Sequence, residues 1–295
     1  MAKSSFRFRG ESRVLDAEAR SGVPGEFIQL SDGVTHYEIA GPSDGQTVVL
    51  VHGFSTPYFI WDPTFDALAG AEFRVLRYDL YGRGYSDRPD VAYDQDLFDR
   101  QLVNLLSALD IALPVDLIGL SMGGPITVVF ADRRPAQVRK LCLIDPAGLI
   151  TRSPFALKLM QIPTLGEWLI SLFGDRMLLS GQADNFFEPE KLAEFQTKYR
   201  PTMQYVGLKR ALLSTMRHGP LGNMLETFRR VGKQKRPTLL IWGREDQTVP
   251  FAHNEKVRAA IPHVEFHAID DAGHIPHYER PELVNPLLIE FLRSN

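Results

Sequence analysis

Gly119-Leu120-Ser121-Met122-Gly123-Gly124 constrains the fold of this chain more than any other stretch. The apolar run Val115-Asp116-Leu117-Ile118 ahead of it reads as a short buried strand. Pro125-Ile126-Thr127-Val128-Val129-Phe130-Ala131 behind it reads as a buried helix. A serine between glycines at a strand-to-helix corner makes a sharp, strained turn that lifts its hydroxyl clear of the sheet. Small residues at 119 and 123 keep side chains out of the way. The new helix aims free N–H groups at any oxyanion that forms there.

The rest of the chain supplies the sheet such a corner needs. Strands are expected over 26–30, 35–39, 48–51, 74–78, 115–120, 140–144, 238–242 and 265–269. Helices are expected over 61–68, 93–109, 122–132, 253–260 and 281–293. Val48-Val49-Leu50-Val51 and Leu239-Leu240-Ile241-Trp242 do not alternate, which fits strands covered on both faces. Ser31-Asp32-Gly33 reads as a hairpin turn, so an antiparallel edge leads into a parallel, helix-covered sheet.

The rhythm breaks over 149–236. This stretch carries no strand signal, and prolines at 154, 163, 189, 201 and 220 punctuate helical patterns over 155–162, 167–173, 190–199 and 205–216. It reads as a helical insertion. The expected organisation is an N-terminal arm over 1–25, a core over 26–148 and 237–295, and the insertion between.

A chain of 295 residues, 44% of them hydrophobic, can bury a sizeable core. A net charge of −3 carries no nucleic-acid signature. The one cysteine, Cys142, sits in an apolar strand and reads as packing. Without a disulfide, a leader-like N-terminus or an apolar run of about 20 residues, the expected location is the cytoplasm, with no integral membrane segment. Phe6-Arg7-Phe8-Arg9 reads as part of an arm that packs on the domain or stays loose.

A serine hydroxyl needs a base, and the base needs an orienting group. His274, in Asp271-Ala272-Gly273-His274, follows the last expected strand and is the base expected here. Asp246, in Trp242-Gly243-Arg244-Glu245-Asp246, follows the strand before and is the expected acid; Glu245 and Asp145 compete with it. Parallel strands bring all three loops to one sheet edge, and the order Ser, Asp, His fits that arrangement. The oxyanion donors are expected from the backbone N–H of Met122 and of Phe54, in His52-Gly53-Phe54. His52 reads as a residue that holds this loop. The remaining histidines form no metal-ligand spacing, so neither metal nor cofactor is expected.

Taken together, the elbow, His52-Gly53-Phe54, Asp79-Leu80-Tyr81-Gly82-Arg83-Gly84-Tyr85-Ser86-Asp87-Arg88-Pro89, Trp242-Gly243-Arg244-Glu245-Asp246 and Asp271-Ala272-Gly273-His274 resemble the α/β-hydrolase fold family. The resemblance runs from Glu26 onward. It implies an α/β fold with a mostly parallel eight-stranded sheet flanked by helices, and it makes the insertion a helical cap. Haloalkane dehalogenases and epoxide hydrolases of this family place aspartate at the elbow, where this chain has Ser121. Meta-cleavage-product hydrolases share Ser-Met-Gly-Gly but usually carry Gly-Pro-Gly in the oxyanion loop, where this chain has Gly53-Phe54-Ser55. Haloperoxidase-like esterases show Gly-Phe with a tryptophan shortly after, as Trp61 follows here. Monoacylglycerol lipases use Ser-Met-Gly-Gly under a helical cap.

The resemblance therefore implies a serine esterase, monoacylglycerol lipase-like, that acts on small esters with an apolar short- to medium-length acyl chain. A C–C bond hydrolase with the same triad and a ligand-sensing protein without turnover are the alternatives. Trp168, Phe173, Phe186, Phe187 and Met203 are expected to line the substrate pocket. The apolar cap helices also suggest peripheral contact with lipid.

Overall fold

The computed structural model describes residues 8–149 and 155–294, with the backbone alone described for 155–157. The sheet strands are β1 (Glu26–Leu30), β2 (Gly33–Ala40), β3 (Thr47–Val51), β4 (Arg74–Tyr78), β5 (Val115–Leu120), β6 (Val138–Ile144), β7 (Thr238–Gly243) and β8 (Glu265–Ile269). They form one sheet in the order β1-β2-β4-β3-β5-β6-β7-β8. β1 and β2 pair antiparallel, as do β2 and β4; every other pairing is parallel.

The helices are α1 (Ala17–Ser21), α2 (Asp62–Gly70), α3 (Gln95–Ala108), α4 (Gly123–Arg133), α5 (Phe155–Gln161), α6 (Leu165–Gly181), α7 (Pro189–Thr202), α8 (Leu208–His218), α9 (Leu225–Gly232), α10 (Asn254–Ala260), α11 (Pro276–Glu279) and α12 (Pro281–Arg293). Local chemistry sets where these begin. Asp94 caps α3 by accepting the Leu97 N–H at 2.9 Å, which leaves one fewer orphan donor. Proline near the first position opens α2, α7, α11 and α12, where its missing N–H costs nothing.

The unalternating strands are explained by two cores. Val49, Val51, Leu240 and Trp242 face a layer built with Leu97, Phe98, Phe130, Phe228 and Val257. Val48, Leu50, Leu239 and Ile241 face the other, with Trp61, Phe65, Leu288 and Phe291. Each strand residue is buried on one side or the other. Burying one such side chain contributes about 1.5–3 kcal/mol, so both faces of the sheet stabilise the platform that holds the loops. Cys142 is buried in the second layer, as its sequence context suggests.

The described part of the insertion carries helices α5 to α9, with isolated bridges at Leu149, Tyr205 and Asn223. One element departs from the expected division. Helix α9 falls within 149–236 but packs on α4 and α10, and Phe228 and Val231 join the first core. It therefore joins the layer that covers one face of the sheet.

The arm docks on those helices. Glu11 accepts the N–H groups of Gly207 and Lys209 at 2.7 and 2.6 Å. Arg13 bridges to Tyr205, and Phe8 packs with Met160, Ile170 and Leu213. Phe6 and Arg7 lie outside the described residues, as does the side chain of Phe155. Among the described residues no helix is long and apolar enough to cross a membrane.

Two buried histidines make the fold acid-sensitive. His52 accepts the Leu80 N–H at Nε2 and faces the Gly53 carbonyl with Nδ1, so it is the neutral Nδ1–H tautomer. Burial lowers its pKa to about 4. His277 packs against Trp61 with ring centroids 4.4 Å apart, and burial lowers it to about 3. Both stay neutral in the fold while the unfolded chain protonates below about pH 6.5. Their contribution is full above that pH and is lost as pH falls toward 4 and 3. Each should cost about 1.4 kcal/mol per pH unit within its window. His277→Phe should shrink the stability lost between pH 7 and pH 5 by about 2 kcal/mol, measured by urea unfolding. An unchanged loss would contradict a neutral buried His277.

Candidate active site

The elbow forms where β5 ends. Ser121 has φ +52°, a left-handed conformation that costs a non-glycine residue about 1–3 kcal/mol. The surrounding structure holds it there. Its N–H donates to the Ile144 carbonyl at 2.9 Å, and its carbonyl accepts from Gly124 and Ala147 at 3.0 Å each. Gly119 and Gly123 are required by crowding. A Cβ on Gly119 would meet the Gly123 carbonyl oxygen at 2.5 Å, and one on Gly123 would meet the Val51 carbonyl oxygen at 2.1 Å. Both obstacles are backbone, so neither can swing aside. Gly123→Ala should lower stability by about 3 kcal/mol, and a wild-type melting curve would show that β3 and α4 pack more loosely than described.

His274 and Asp246 meet as a buried pair. His274 Nδ1 lies 2.7 Å from Asp246 Oδ2, with both side chains buried. Asp246 Oδ1 accepts the N–H groups of Thr248 and Val249 at 2.8 Å each. A carboxylate with this many donors is fixed in orientation. His274 therefore carries its proton on Nδ1, which leaves Nε2 as the basic nitrogen. That atom is buried and has no hydrogen-bond partner. His274 and Ser121 line the same cavity. Catalytic hydrogen bonds are often long in a free enzyme and tighten with substrate.

The competing acids make other contacts. Glu245 accepts the Ala272 N–H at 3.1 Å and ties down the loop before His274. Asp145, after β6, accepts the Gly243 N–H at 3.0 Å behind Asp246. Carboxyl oxygens of Asp145 and Asp246 and a ring nitrogen of His274 lie within 4.8 Å of one another. The 2.7 Å bond between His274 and Asp246 makes this an acid–base chain, with its nitrogen and oxygen already committed to each other.

Met122 precedes the first turn of α4, so its N–H has no acceptor within the helix. Phe54 lines the cavity beside it. The Phe54 carbonyl is held from behind by Arg83 Nε at 2.8 Å. Arg83 is wholly buried and also donates to the Tyr81 carbonyl and, at 2.9 Å, to Thr215 of α8. Its guanidinium lies over the rings of Phe54, Tyr93 and Phe98. Burial lowers its pKa only to about 10, so it remains charged. Arg83 thus ties the loop of Phe54 to α8. Sequence reasoning placed it in a motif but gave it no role.

Segment 185–188, between α6 and α7, grips the histidine loop. The Asn185 carbonyl accepts the His274 N–H at 2.8 Å, and its side-chain oxygen accepts the Thr248 hydroxyl at 2.6 Å. Glu279 accepts from Gly273, Phe187 and Glu188 at 2.7, 2.6 and 2.9 Å. Neither Asn185 nor Glu279 carries a motif that marks this task.

The cavity encloses about 430 Å³. Its floor is Gly53 to Thr56, Leu120, Ser121, His274 and Ile275, and its roof is Met177, Leu178, Gly181, Asp184 and Asn185. Gln247 and Thr248 stand exposed at the rim. None of the five residues expected to line it does so. Trp168, Phe173 and Phe187 are exposed on the outer surface. Met203 is buried in the second core, and Phe186 packs on Phe195 and Tyr278. The reason lies in α6, which is apolar on most sides, so no stripe in its sequence marks the face turned inward.

Comparison with known proteins fits this geometry. The Alpha/beta hydrolase family matches over residues 48–287. The chain belongs to this family. This alpha/beta hydrolase is 30% identical over 290 residues to a 2-hydroxy-6-oxononadienedioate/2-hydroxy-6-oxononatrienedioate hydrolase from Cupriavidus pinatubonensis, covering 90% of this chain and 94% of the relative. It is 26% identical over 243 residues to Lipase 3 of Moraxella, covering 80% and 73%. In structure it is similar to a thermophilic esterase from Thermogutta terrifontis, with a TM-score of 0.78 and 24% identity over 91% of this chain and 98% of that one. The loops that carry Ser121, Asp246 and His274 follow β5, β7 and β8, at the C-terminal edge of the parallel strands.

Proposed function

We propose that this alpha/beta hydrolase is a serine esterase that cleaves small, uncharged carboxylic esters through an acyl-enzyme. The observation that carries the reading is the chain Asp246–His274 leading into an apolar cavity that Ser121 shares. Ser121 Oγ attacks the ester carbonyl as His274 Nε2 takes its proton. Asp246 holds the tautomer and stabilises the imidazolium that forms. The N–H groups of Met122 and Phe54 receive the oxyanion; each such donor is worth about 2.7–4 kcal/mol. His274 then protonates the leaving alcohol and activates water for deacylation.

The cavity's charge supports an ester over the C–C bond cleavage that the Cupriavidus relative's name describes. That name is of a dicarboxylate substrate. Among the described residues no lysine or arginine lines this cavity, and Asp184 adds a negative charge at its roof. A carboxylate brought inside would lose its hydration without a partner.

The test is a chain-length series of p-nitrophenyl esters with fluorophosphonate labelling. The expected result is turnover with an optimum at short to medium chains, and one phosphonyl adduct, on Ser121. A wild-type enzyme inert to both reagents would overturn the esterase reading.

A further inference from the structure

Asp145 is buried within the site, and the mechanism above gives it no task. Its residue has φ +43°, held by the Asp145 N–H donating to the Ile241 carbonyl at 3.0 Å. Oδ1 accepts the Gly243 N–H. Oδ2 is buried and has no donor to accept from. A lone carboxylate oxygen without donor or solvent is costly to bury. One of its oxygens nevertheless lies within 4.8 Å of both Asp246 and His274.

The charges facing this group all point one way. Asp246, from the loop after β7, and Glu279, from α11, both repel a second anion here. No cation is among the groups that most strongly set the Asp145 ionisation, and the His274 ring beside it has its Nδ1 already bound to Asp246. Burial and the neighbouring Asp246 charge push the Asp145 carboxyl well above the usual carboxylate range. Two carboxyl groups at this distance share one proton more readily than they ionise together.

We propose that Asp145 is a positioning residue that stays protonated and donates its Oδ2 hydrogen to the Asp246 carboxylate, fixing the acid that orients His274. The acid of the triad is then a carboxyl pair carrying one negative charge. Asp246 receives donors on every side: the Thr248 and Val249 N–H groups, His274 Nδ1–H and Asp145 Oδ2–H. The pair keeps that single charge on the residue that touches the histidine. This inference rests on the esterase reading for its kinetic consequence, but the protonation state itself is measurable without turnover.

Asparagine separates this role from its rivals. In Asp145→Asn the amide oxygen can keep the Gly243 N–H, and the amide N–H₂ can replace the hydroxyl as donor to Asp246. Asparagine also tolerates a positive φ. Asp145→Ala removes both contacts. Donation to a charged acceptor corresponds to about a 10–100-fold effect. The kcat of Asp145→Ala should therefore fall about 10–100-fold below that of Asp145→Asn, with KM shared.

Three readouts test the proposal. Infrared difference spectra of wild type minus Asp145→Asn at pH 7 should show the C=O stretch of a protonated carboxyl. Stability should move in a specific direction. A carboxyl with a raised folded pKa contributes fully below its unfolded pKa and loses that contribution as pH rises. Asp145→Asn should thus have a higher urea midpoint than wild type at pH 7, and the gap should close at acid pH. The kinetic ranking is the third. A difference spectrum with carboxylate bands alone, or an Asp145→Asn enzyme as slow as Asp145→Ala, would overturn the proposal. Should Asp145→Ala not fold, the spectrum and the Asp145→Asn midpoint decide alone. If the wild type is inert on esters, the esterase reading fails while the infrared result still stands or falls by itself.

Discussion

Ser121→Ala is expected to lower kcat for aryl esters by about 10⁶-fold, the loss seen when the nucleophile of a serine triad is removed. The whole covalent route depends on this one oxygen. His274 Nε2 has no second hydroxyl assigned to activate, and the oxyanion donors retain only the residual acceleration of about 10³–10⁴ over water. The fold should survive. Alanine inherits the same positive φ, and the backbone bonds of residue 121 to Ile144, Gly124 and Ala147 remain. Steady-state kinetics with p-nitrophenyl butyrate and a urea melt check both halves. A variant that keeps more than about a hundredth of wild-type kcat would mean that another group attacks the ester.

Asp246→Asn should cost about 10⁴-fold in kcat, and the reason is a tautomer. Besides the proposed Asp145 hydrogen, the native carboxylate accepts two backbone N–H groups on Oδ1 and His274 on Oδ2. The two backbone donors select the amide oxygen for their side, so the amide N–H₂ must face His274 Nδ1. That nitrogen then has to accept, and the imidazole carries its proton on Nε2. The base can no longer take the serine proton. Binding should change little, so KM should stay close to wild type. A loss below tenfold would indicate that Asp145 or Glu245 takes over the histidine.

How much of this was legible follows from where the information resides. The elbow could be read because crowding at Gly119 and Gly123 and the turn at Ser121 are local demands. The sheet could be read because strands covered on both faces abandon alternation, as 48–51 and 239–242 do. The positions of His274 and Asp246 at neighbouring strand ends follow from parallel topology. Asp145 also ends a strand, and only three-dimensional placement puts it behind Asp246 and out of bonding contact with the histidine. Helix α9 reads as part of the insertion because a helix sequence does not state which layer its apolar face joins. The cavity lining was missed for the same reason, since Met177 and Leu178 look no different in sequence from Trp168 and Phe173. Arg83, Asn185 and Glu279 act through main-chain groups far away in sequence, and such partners leave no pattern of spacing.

These features fit a common design. Strand ends carry Ser121, Asp246 and His274, while segment 185–188 and α8 reach down to the loops beside them. The connection runs through Asn185 and Glu279 on the histidine side, and through Arg83 on the oxyanion side. The insertion therefore roofs the cavity and also braces the loops that carry His274 and Phe54.

The most direct test of the central claim is one competition of substrates. The ratio of kcat/KM for a neutral aryl ester against a vinylogous diketone bearing two carboxylates compares both chemistries on one enzyme. The account predicts that the ester wins by about 100-fold or more, because each carboxylate would enter without a cationic partner. Faster cleavage of the diacid would contradict it and would make this alpha/beta hydrolase a C–C bond hydrolase.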